Sequence, residues 1–119
     1  MATFSKRNLS ASSYGNNINV NTTSHSTLTI HTTGTGGHMD EIWLYATNHS
    51  GSDVKLTTEF GGAGSTEHWS EVTIGAEAGW VLVIPGFIFD TTGGGKTMYA
   101  HAATANVINL QGYVNRITA

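Results

Sequence analysis

The chain has no cysteine at all and only one proline among its 119 residues. Without cysteine there is no disulfide framework and no thiolate metal site, so packing or assembly must stabilise the fold. Charge is also scarce, because Asp, Glu, Lys and Arg make up 11% of the residues, against roughly 25% in an average soluble domain. The five Lys and Arg residues form no basic stripe, which argues against a nucleic-acid partner.

Long hydrophobic runs are missing as well. The longest, from Trp80 through Pro85 to Phe89, is about ten residues, half of the roughly 20 that a membrane-spanning helix needs. The N-terminal segment carries Lys6 and Arg7 without an apolar stretch after them, so we expect neither a secretory signal nor a membrane partner.

What the chain does contain is a series of short runs rich in Val, Ile, Thr and aromatic residues, separated by glycine-rich turns. These residue types favour a half-buried pleated strand, and nothing between them has the pattern of a helix. We therefore predict an all-β fold, an antiparallel β-sandwich or jelly-roll-like domain of about eight strands over residues 24–119. Residues 1–23 are predicted to be an extended N-terminal arm.

Alternation of apolar and polar residues places the main strands. The predicted strands are Ser24 to Thr32, Asp40 to Asn48, Val54 to Phe60, His68 to Ile74, Trp80 to Ile84 continuing to Phe89, Thr97 to Ala103 and Val107 to Ile117. We expect Asp40 to Phe60 to form a hairpin, which ends at a following turn at residues 61–66. Since Trp80 to Ile84 is apolar throughout, we predict a buried strand there, with Trp80 in the core.

Two groups of apolar residues are candidates for contacts with other subunits. Phe4, Leu9 and Tyr14 are isolated in the polar arm, where they could dock on a neighbour, and a frayed chain end is the alternative. The strand around Trp43 and Tyr45 has bulky side chains on both faces, so it is either central between two layers or exposed for contact. We predict protein-interaction residues at Phe4, Leu9, Tyr14, Trp43, Tyr45 and Tyr113, although the last three could equally face the core or a ligand.

Catalytic and nucleotide-binding motifs fail on geometry. The run Gly93 to Thr97 resembles the end of a phosphate-binding loop, but Asp90 stands where the pattern needs glycine, and a strand follows instead of a helix. No convergent set indicates an enzyme, and the weak candidates are His38, Asp40 and Glu71. The acids that could form a catalytic pair are Glu59, Glu67, Glu71 and Glu77, which are expected to be solvated.

The six histidines do not predict a metal centre. His25 and His31 would lie about 20 Å apart on one strand, which is too far to share an ion. His38 and Asp40 are closer in sequence, and a site built around an oligomer axis is the remaining alternative. We therefore predict no catalytic residue, no cofactor and no metal ligand.

Three segments resemble small β-rich virion proteins of tailed bacteriophages. They are Asp40 to Asn48 (DEIWLYATN), Val81 to Phe89 (VLVIPGFIF) and Ala105 to Thr118 (ANVINLQGYVNRIT), together less than half of the chain. Similar phage proteins sit on the outside of the head as decoration or cement subunits. The resemblance implies a structural protein on the capsid surface of a virion, made in the host cytoplasm, and it assigns no binding residue.

The function expected from this resemblance is capsid decoration, with the major capsid protein and further copies of the chain as partners, as a trimer rather than a dimer. A compact sandwich with a low-charge surface and an arm suits that role. The alternatives are a carbohydrate- or receptor-binding module of a phage tail or fibre, because aromatic rings stack on sugars, and a structural subunit of the neck or tail.

Overall fold

A computed structural model of the protein describes residues 2–60 and 68–118. Within them the chain forms nine strands and one short 3-10 turn, Ser13–Gly15, which confirms the predicted all-β class. The predicted turn at 61–66 and Glu67 lie outside the described residues. The strands are β1 Thr3–Asn8, β2 Ile18–Asn19, β3 Leu28–Thr32, β4 Met39–Asn48, β5 Val54–Phe60, β6 His68–Ile74, β7 Val81–Asp90, β8 Thr97–Ala102 and β9 Ile108–Thr118.

The strands pair into two antiparallel sheets that pack face to face as a sandwich. Sheet A has the order β1-β9-β4-β7, with β2 also paired to β9, and sheet B has the order β3-β8-β5-β6. The predicted hairpin from Asp40 to Phe60 is therefore wrong, because β4 and β5 lie in different sheets. The buried Asn48 side chain holds the crossing by donating hydrogen bonds to the carbonyls of Ser52 (2.8 Å) and Ile74 (2.9 Å).

The core consists of the inward-facing residues of both sheets, as the period-two pattern predicts. Burial on β4 alternates without exception along its ten residues, with Ile42, Leu44 and Ala46 fully buried. Complete burial of one such Leu or Ile side chain stabilises the fold by about 1.5–3 kcal/mol. The other strands contribute Ile30, Val54, Leu56, Ile74, Ile84, Phe89, Met98, Ala100, Ala102, Ile108, Leu110 and Val114.

Strand β7 differs from its prediction, because it is an edge strand and not a buried one. Trp80, just before the strand, is exposed instead of lying in the core, and Leu82 is exposed as well. Only Ile84 and Phe89 on this strand are buried. A proline fits an edge, where its missing N–H interrupts no interior ladder, and the register shifts on either side of Pro85 mark two irregularities in the pairing with β4.

Residues 3–20, which fall in the predicted arm, pack on the sandwich of their own chain. Strand β1 pairs along its whole length with β9, from Thr3 opposite Thr118 to Asn8 opposite Tyr113. Leu9 is 1% exposed, and Ile18 and Val20 join it in the core. Residues 3–20 therefore supply core side chains as well as the strands β1 and β2 beside β9.

Strand β3 is shorter than predicted and does not alternate cleanly. It begins at Leu28, and a register shift between Thr29 and His31 leaves Ile30 and His31 both buried. Ahead of it, Ser26 has a φ of 57°, a left-handed conformation that ends the extended chain. Residues 24–27 consequently form a turn that carries His25 toward sheet B.

Candidate functional site

One broad apolar surface lies on the solvent side of sheet A. Residues directly opposite each other in an antiparallel pair point to the same face, and Ile42, Leu44, Leu110 and Val114 point inward. The residues between them therefore point outward. We define the outer face of sheet A by its apolar members: Phe4 on β1, Met39, Trp43 and Tyr45 on β4, Leu82 and Ile88 on β7, and Tyr113 and Ile117 on β9.

Trp43 and Tyr113 lie at the centre of this face. Their ring centroids are 6.3 Å apart and their planes differ by 14°, and the ammonium of Lys6 lies 4.7 Å from the centre of the Tyr113 ring. The Trp43 ring rests on Gly86, where an added Cβ would come within 2.9 Å of it. The absence of a side chain at Gly86 thus allows Trp43 to lie flat across β7.

Polar groups fix the orientation of Trp43. Its indole N–H donates a 2.7 Å hydrogen bond to Oε1 of Glu41, and the same oxygen accepts a 2.9 Å bond from the Asn115 amide. These two hydrogen bonds, that from Trp43 first, lower the pKa of Glu41. The carboxylate is therefore charged at neutral pH and anchors both side chains.

The edges of the outer face are open to solvent. Phe4 is 70% exposed, Ile88 is 52% exposed and Leu82 is 46% exposed. Large apolar side chains that are exposed together on one face make that face a candidate contact surface. Among the described strands β7 is an edge strand of sheet A, and Pro85 and the irregular pairing with β4 make it a poor template for the addition of another strand.

Four of the six predicted interaction residues, Phe4, Trp43, Tyr45 and Tyr113, share the outer face of sheet A. Tyr14 is 99% exposed, in a turn whose Gly15 carbonyl accepts a 2.8 Å hydrogen bond from Gln111 on the solvent side of β9. Leu9 is different, because it lies in the core of its own chain and its side chain is not available to a partner.

A second candidate group of residues lies on the solvent side of sheet B. Glu59 on β5 points away from the core, yet its carboxylate is 0% exposed because neighbouring side chains cover it. Nδ1 of His101 lies 2.9 Å from Glu59 Oε1, and Nδ1 of His25 lies 3.3 Å from the same oxygen. The Ser26 hydroxyl donates a 3.4 Å hydrogen bond to the other carboxylate oxygen.

An open cavity of about 480 Å³ adjoins this group. His25 and His101 form part of its wall, together with Thr57 and the ion pair between Lys55 and Glu71, whose atoms are 2.8 Å apart. Two imidazoles and one carboxylate in reach of each other can transfer protons or coordinate a cation. The alternation of apolar and polar residues along β5 predicts that Glu59 points outward. Its burial could not be predicted, because it depends on the turn at residues 24–27, where the sequence pattern predicts a strand.

A third polar group lies inside the sandwich and links its two sheets. Asp40, fully buried, receives hydrogen bonds from Nε and a terminal nitrogen of Arg116 (2.8 and 2.9 Å) and from Nε2 of His31 (2.8 Å). Burial by itself would raise the pKa of Asp40, but the bonds from Arg116 and His31 outweigh it and lower the pKa. The carboxylate is thus held as the anion.

His31 is held neutral in this group. Its Nδ1 accepts the backbone N–H of Ser10 at 3.1 Å, so the ring proton is on Nε2, facing Asp40. Burial lowers the pKa of His31 more than the neighbouring Asp40 raises it. The group therefore has the features of a structural tie between the sheets.

The weak catalytic and metal candidates named from the sequence do not form a site at the surface. His38 is buried and donates from Nε2 to the Thr33 carbonyl at 2.8 Å, with Asp40 3.7 Å away. Both side chains are buried within their own chain. Glu71 lies apart from them, on the solvent side of sheet B.

The phosphate-loop-like run is a plain turn before β8, as predicted. The Gly94 N–H donates to the Thr91 carbonyl at 2.9 Å, and the Lys96 ammonium donates to the Gly94 carbonyl at 3.1 Å.

The described part of the chain contains no helix with the length and apolar character of a membrane span. No family model matches the chain, and no curated protein matches its sequence. The resemblance to phage virion proteins therefore stays a prediction.

Proposed function

We propose that this protein is a structural subunit of a bacteriophage virion, a decoration or cement protein on the capsid surface, made in the host cytoplasm. In this proposal the outer face of sheet A packs against the major capsid protein and against further copies of the chain. The observation that supports it is the apolar character of that face, where Phe4, Leu82 and Ile88 are exposed to solvent around a pair of aromatic rings.

The composition of the face suits a protein contact. Interface centres are enriched in Tyr, Trp, Phe and Met, and a few buried aromatic anchors supply most of the binding energy. Trp43 and Tyr113 would be the anchors, with the polar Glu41, Asn115 and Lys6 beside them. The role needs no chemistry, because a subunit that binds only the mature shell stabilises it by mass action. Closed association as a trimer would limit runaway assembly.

Binding to capsids stripped of this subunit tests the proposal. Purified protein is mixed with the shells and the bound fraction is measured after sedimentation. Ile88→Ser should weaken binding by about 10-fold, which corresponds to about 1.4 kcal/mol, since it removes an apolar contact from the face. Phe87→Ser is the matched control, because Phe87 is equally exposed but is paired with the inward-facing Ile42, on the other side of the strand.

Two outcomes contradict the proposal. One is wild-type protein that does not bind the shells. The other is binding that survives Ile88→Ser and is lost in Phe87→Ser, which would place the contact elsewhere on the sandwich.

A second candidate function is carbohydrate recognition, as in the receptor-binding module of a phage tail or fibre. The observation that favours it is the pair of nearly parallel rings of Trp43 and Tyr113, with Glu41 and Asn115 beside them. Aromatic faces stack on sugars, and such polar groups bond their hydroxyls. A glycan array with wild type and Trp43→Ala decides it: binding that is lost in the variant supports glycan recognition, and no binding by wild type rejects it.

A further inference from the structure

Glu59 and Asp40 are both fully buried carboxylates, and among the described residues they differ in the charged groups beside them. Two guanidinium nitrogens of Arg116 neutralise Asp40. The described contacts of Glu59 come from His25, Ser26 and His101, and the described part of the chain places no lysine or arginine on it. Buried charges in proteins are paired or coordinate metal ions, so the Glu59 site suits a bound cation in addition to the contacts that the described residues make.

We propose that His25, Glu59 and His101 bind a divalent transition-metal ion of the zinc type. The three potential ligand atoms lie within 4.8 Å of one another. A tetrahedral ion about 2.1 Å from each ligand holds its ligand atoms roughly 3.4 Å apart. The separations of 2.9 and 3.3 Å from Glu59 Oε1 to the two imidazole nitrogens are close to that requirement.

The donor set selects the class of ion. Calcium and magnesium take oxygen ligands almost exclusively, whereas two imidazoles and one carboxylate are typical of zinc sites that keep an open position. The absence of cysteine from the chain excludes a thiolate site. The six histidines are therefore the main source of ligands for such an ion. The open position would face the cavity of about 480 Å³, where water or a group of a partner could complete the coordination.

Binding requires each imidazole to present an unprotonated Nδ1 to the ion. Both imidazoles now direct Nδ1 at the carboxylate, and ligation needs the proton on Nε2 so that Nδ1 offers its lone pair. His101 lies on the regular strand β8, and the His25 side chain, 54% exposed, lies on the turn with its ring centroid 4.4 Å from that of His101. The ion would tie the turn at residues 24–27 to β5 and β8.

This site is independent of the proposed function. It lies on the solvent side of sheet B, whereas the proposed contact surface is the outer face of sheet A, on the opposite side of the sandwich. Metal binding therefore leaves that face accessible, and either proposal can fail without the other.

Calorimetric titration of the tag-free, chelator-treated protein with zinc chloride tests the proposal. We expect one ion per chain, and at least about a 10-fold loss of affinity in His25→Ala, since even the loss of an outer-shell partner costs that much. His49→Ala is the matched control, because His49 is also exposed but lies outside the cluster, and it should bind like wild type. Circular dichroism verifies that each variant is folded.

A thermal readout provides a second measure. Zinc should raise the melting temperature of wild type and of His49→Ala, since a ligand of the folded state stabilises it, and should not raise that of His25→Ala. The proposal is overturned if wild type binds no ion, if His25→Ala binds zinc as tightly as wild type, or if His49→Ala loses binding to the same degree.

Discussion

Asp40 shows how a single buried carboxylate can connect the two layers of the sandwich. It lies on β4 of sheet A and is bonded to Arg116 of the same sheet and to His31 of sheet B. Replacing one partner would leave a charge without compensation inside the protein, which is costly. The His31 side of this contact also depends on protonation, because its Nδ1 already accepts the Ser10 N–H and has no room for a second proton.

The unfolding free energy should therefore fall in acid. In the unfolded chain the pKa of His31 is roughly 6.5. Because folding lowers its pKa, the unfolded chain binds more protons below that pH, and stability is lost as the pH falls toward the folded pKa. Asp40, whose pKa is also lowered by folding, adds a second loss below roughly 3.9. Besides Asp40, the charged and titratable neighbours of His31 are Arg116 and His38, and both of them lower its pKa.

Urea unfolding of wild type and His31→Gln between pH 7.5 and pH 5 checks this prediction. Glutamine keeps a donor that can face Asp40 but does not titrate in this range, so the advantage of wild type over the variant should shrink as the pH falls. His49→Gln is the control and should follow wild type. An advantage that stays constant or grows toward pH 5 would contradict the assignment of His31.

At the scale of elements, the N-terminal segment determines how the edge of sheet A is completed. Strand β1 covers β9 along six residue pairs, and the next residues run across to sheet B, where the Ala11 N–H donates to the Ile30 carbonyl at 3.0 Å. Leu9 lies between these two contacts in the core. On this evidence of packing, residues 3–20 are a structural part of the sandwich.

Leu9→Ala should lower the unfolding free energy by about 2–4 kcal/mol, because it removes a buried leucine and leaves a cavity. Phe4→Ala is the control, since Phe4 is 70% exposed in the same segment and should change stability by no more than about 0.5 kcal/mol. Chemical denaturation of both variants measures the difference. A Leu9→Ala protein as stable as wild type would show that the segment does not pack as described.

The strands that alternate in sequence are the ones that could be predicted. Ile42 and Leu44 on β4, and Met98 and Ala100 on β8, face the core as their spacing indicates. A continuous apolar run such as Trp80 to Ile84 has no such period, and periodicity alone cannot distinguish a buried strand from an edge strand with an exposed apolar face. The sheet to which β5 belongs depends on long-range pairing, which its local pattern does not contain.

Of the candidate sites, too, one could be predicted in part from the sequence and the other could not. Trp43 and Tyr45 share a face because of simple alternation, so the sequence could indicate that part of the outer face of sheet A. The cluster at Glu59 could not be predicted, since it requires the turn at Ser26, with its φ of 57°, to bring His25 onto another strand's side chain. Contacts of that kind depend on the folded chain as a whole.

At the scale of the whole molecule, the two sides of the sandwich carry different chemistry. The outer face of sheet A is apolar and aromatic around Trp43 and Tyr113, and the solvent side of sheet B carries the histidines and the buried Glu59. A subunit that packs through one side keeps the other accessible. This division is what a decoration protein needs, because one surface must meet the shell or its neighbours while the opposite one meets solvent.

Cryo-electron microscopy of phage capsids assembled in the presence of this protein tests the central claim most directly. The account predicts hundreds of copies in a regular lattice on the head, with Trp43, Leu82, Ile88 and Tyr113 buried against the major capsid protein or a second copy. A few copies at one vertex, the neck or the tail would contradict the decoration role. A lattice in which the outer face of sheet A is open to solvent would contradict the assignment of the contact surface.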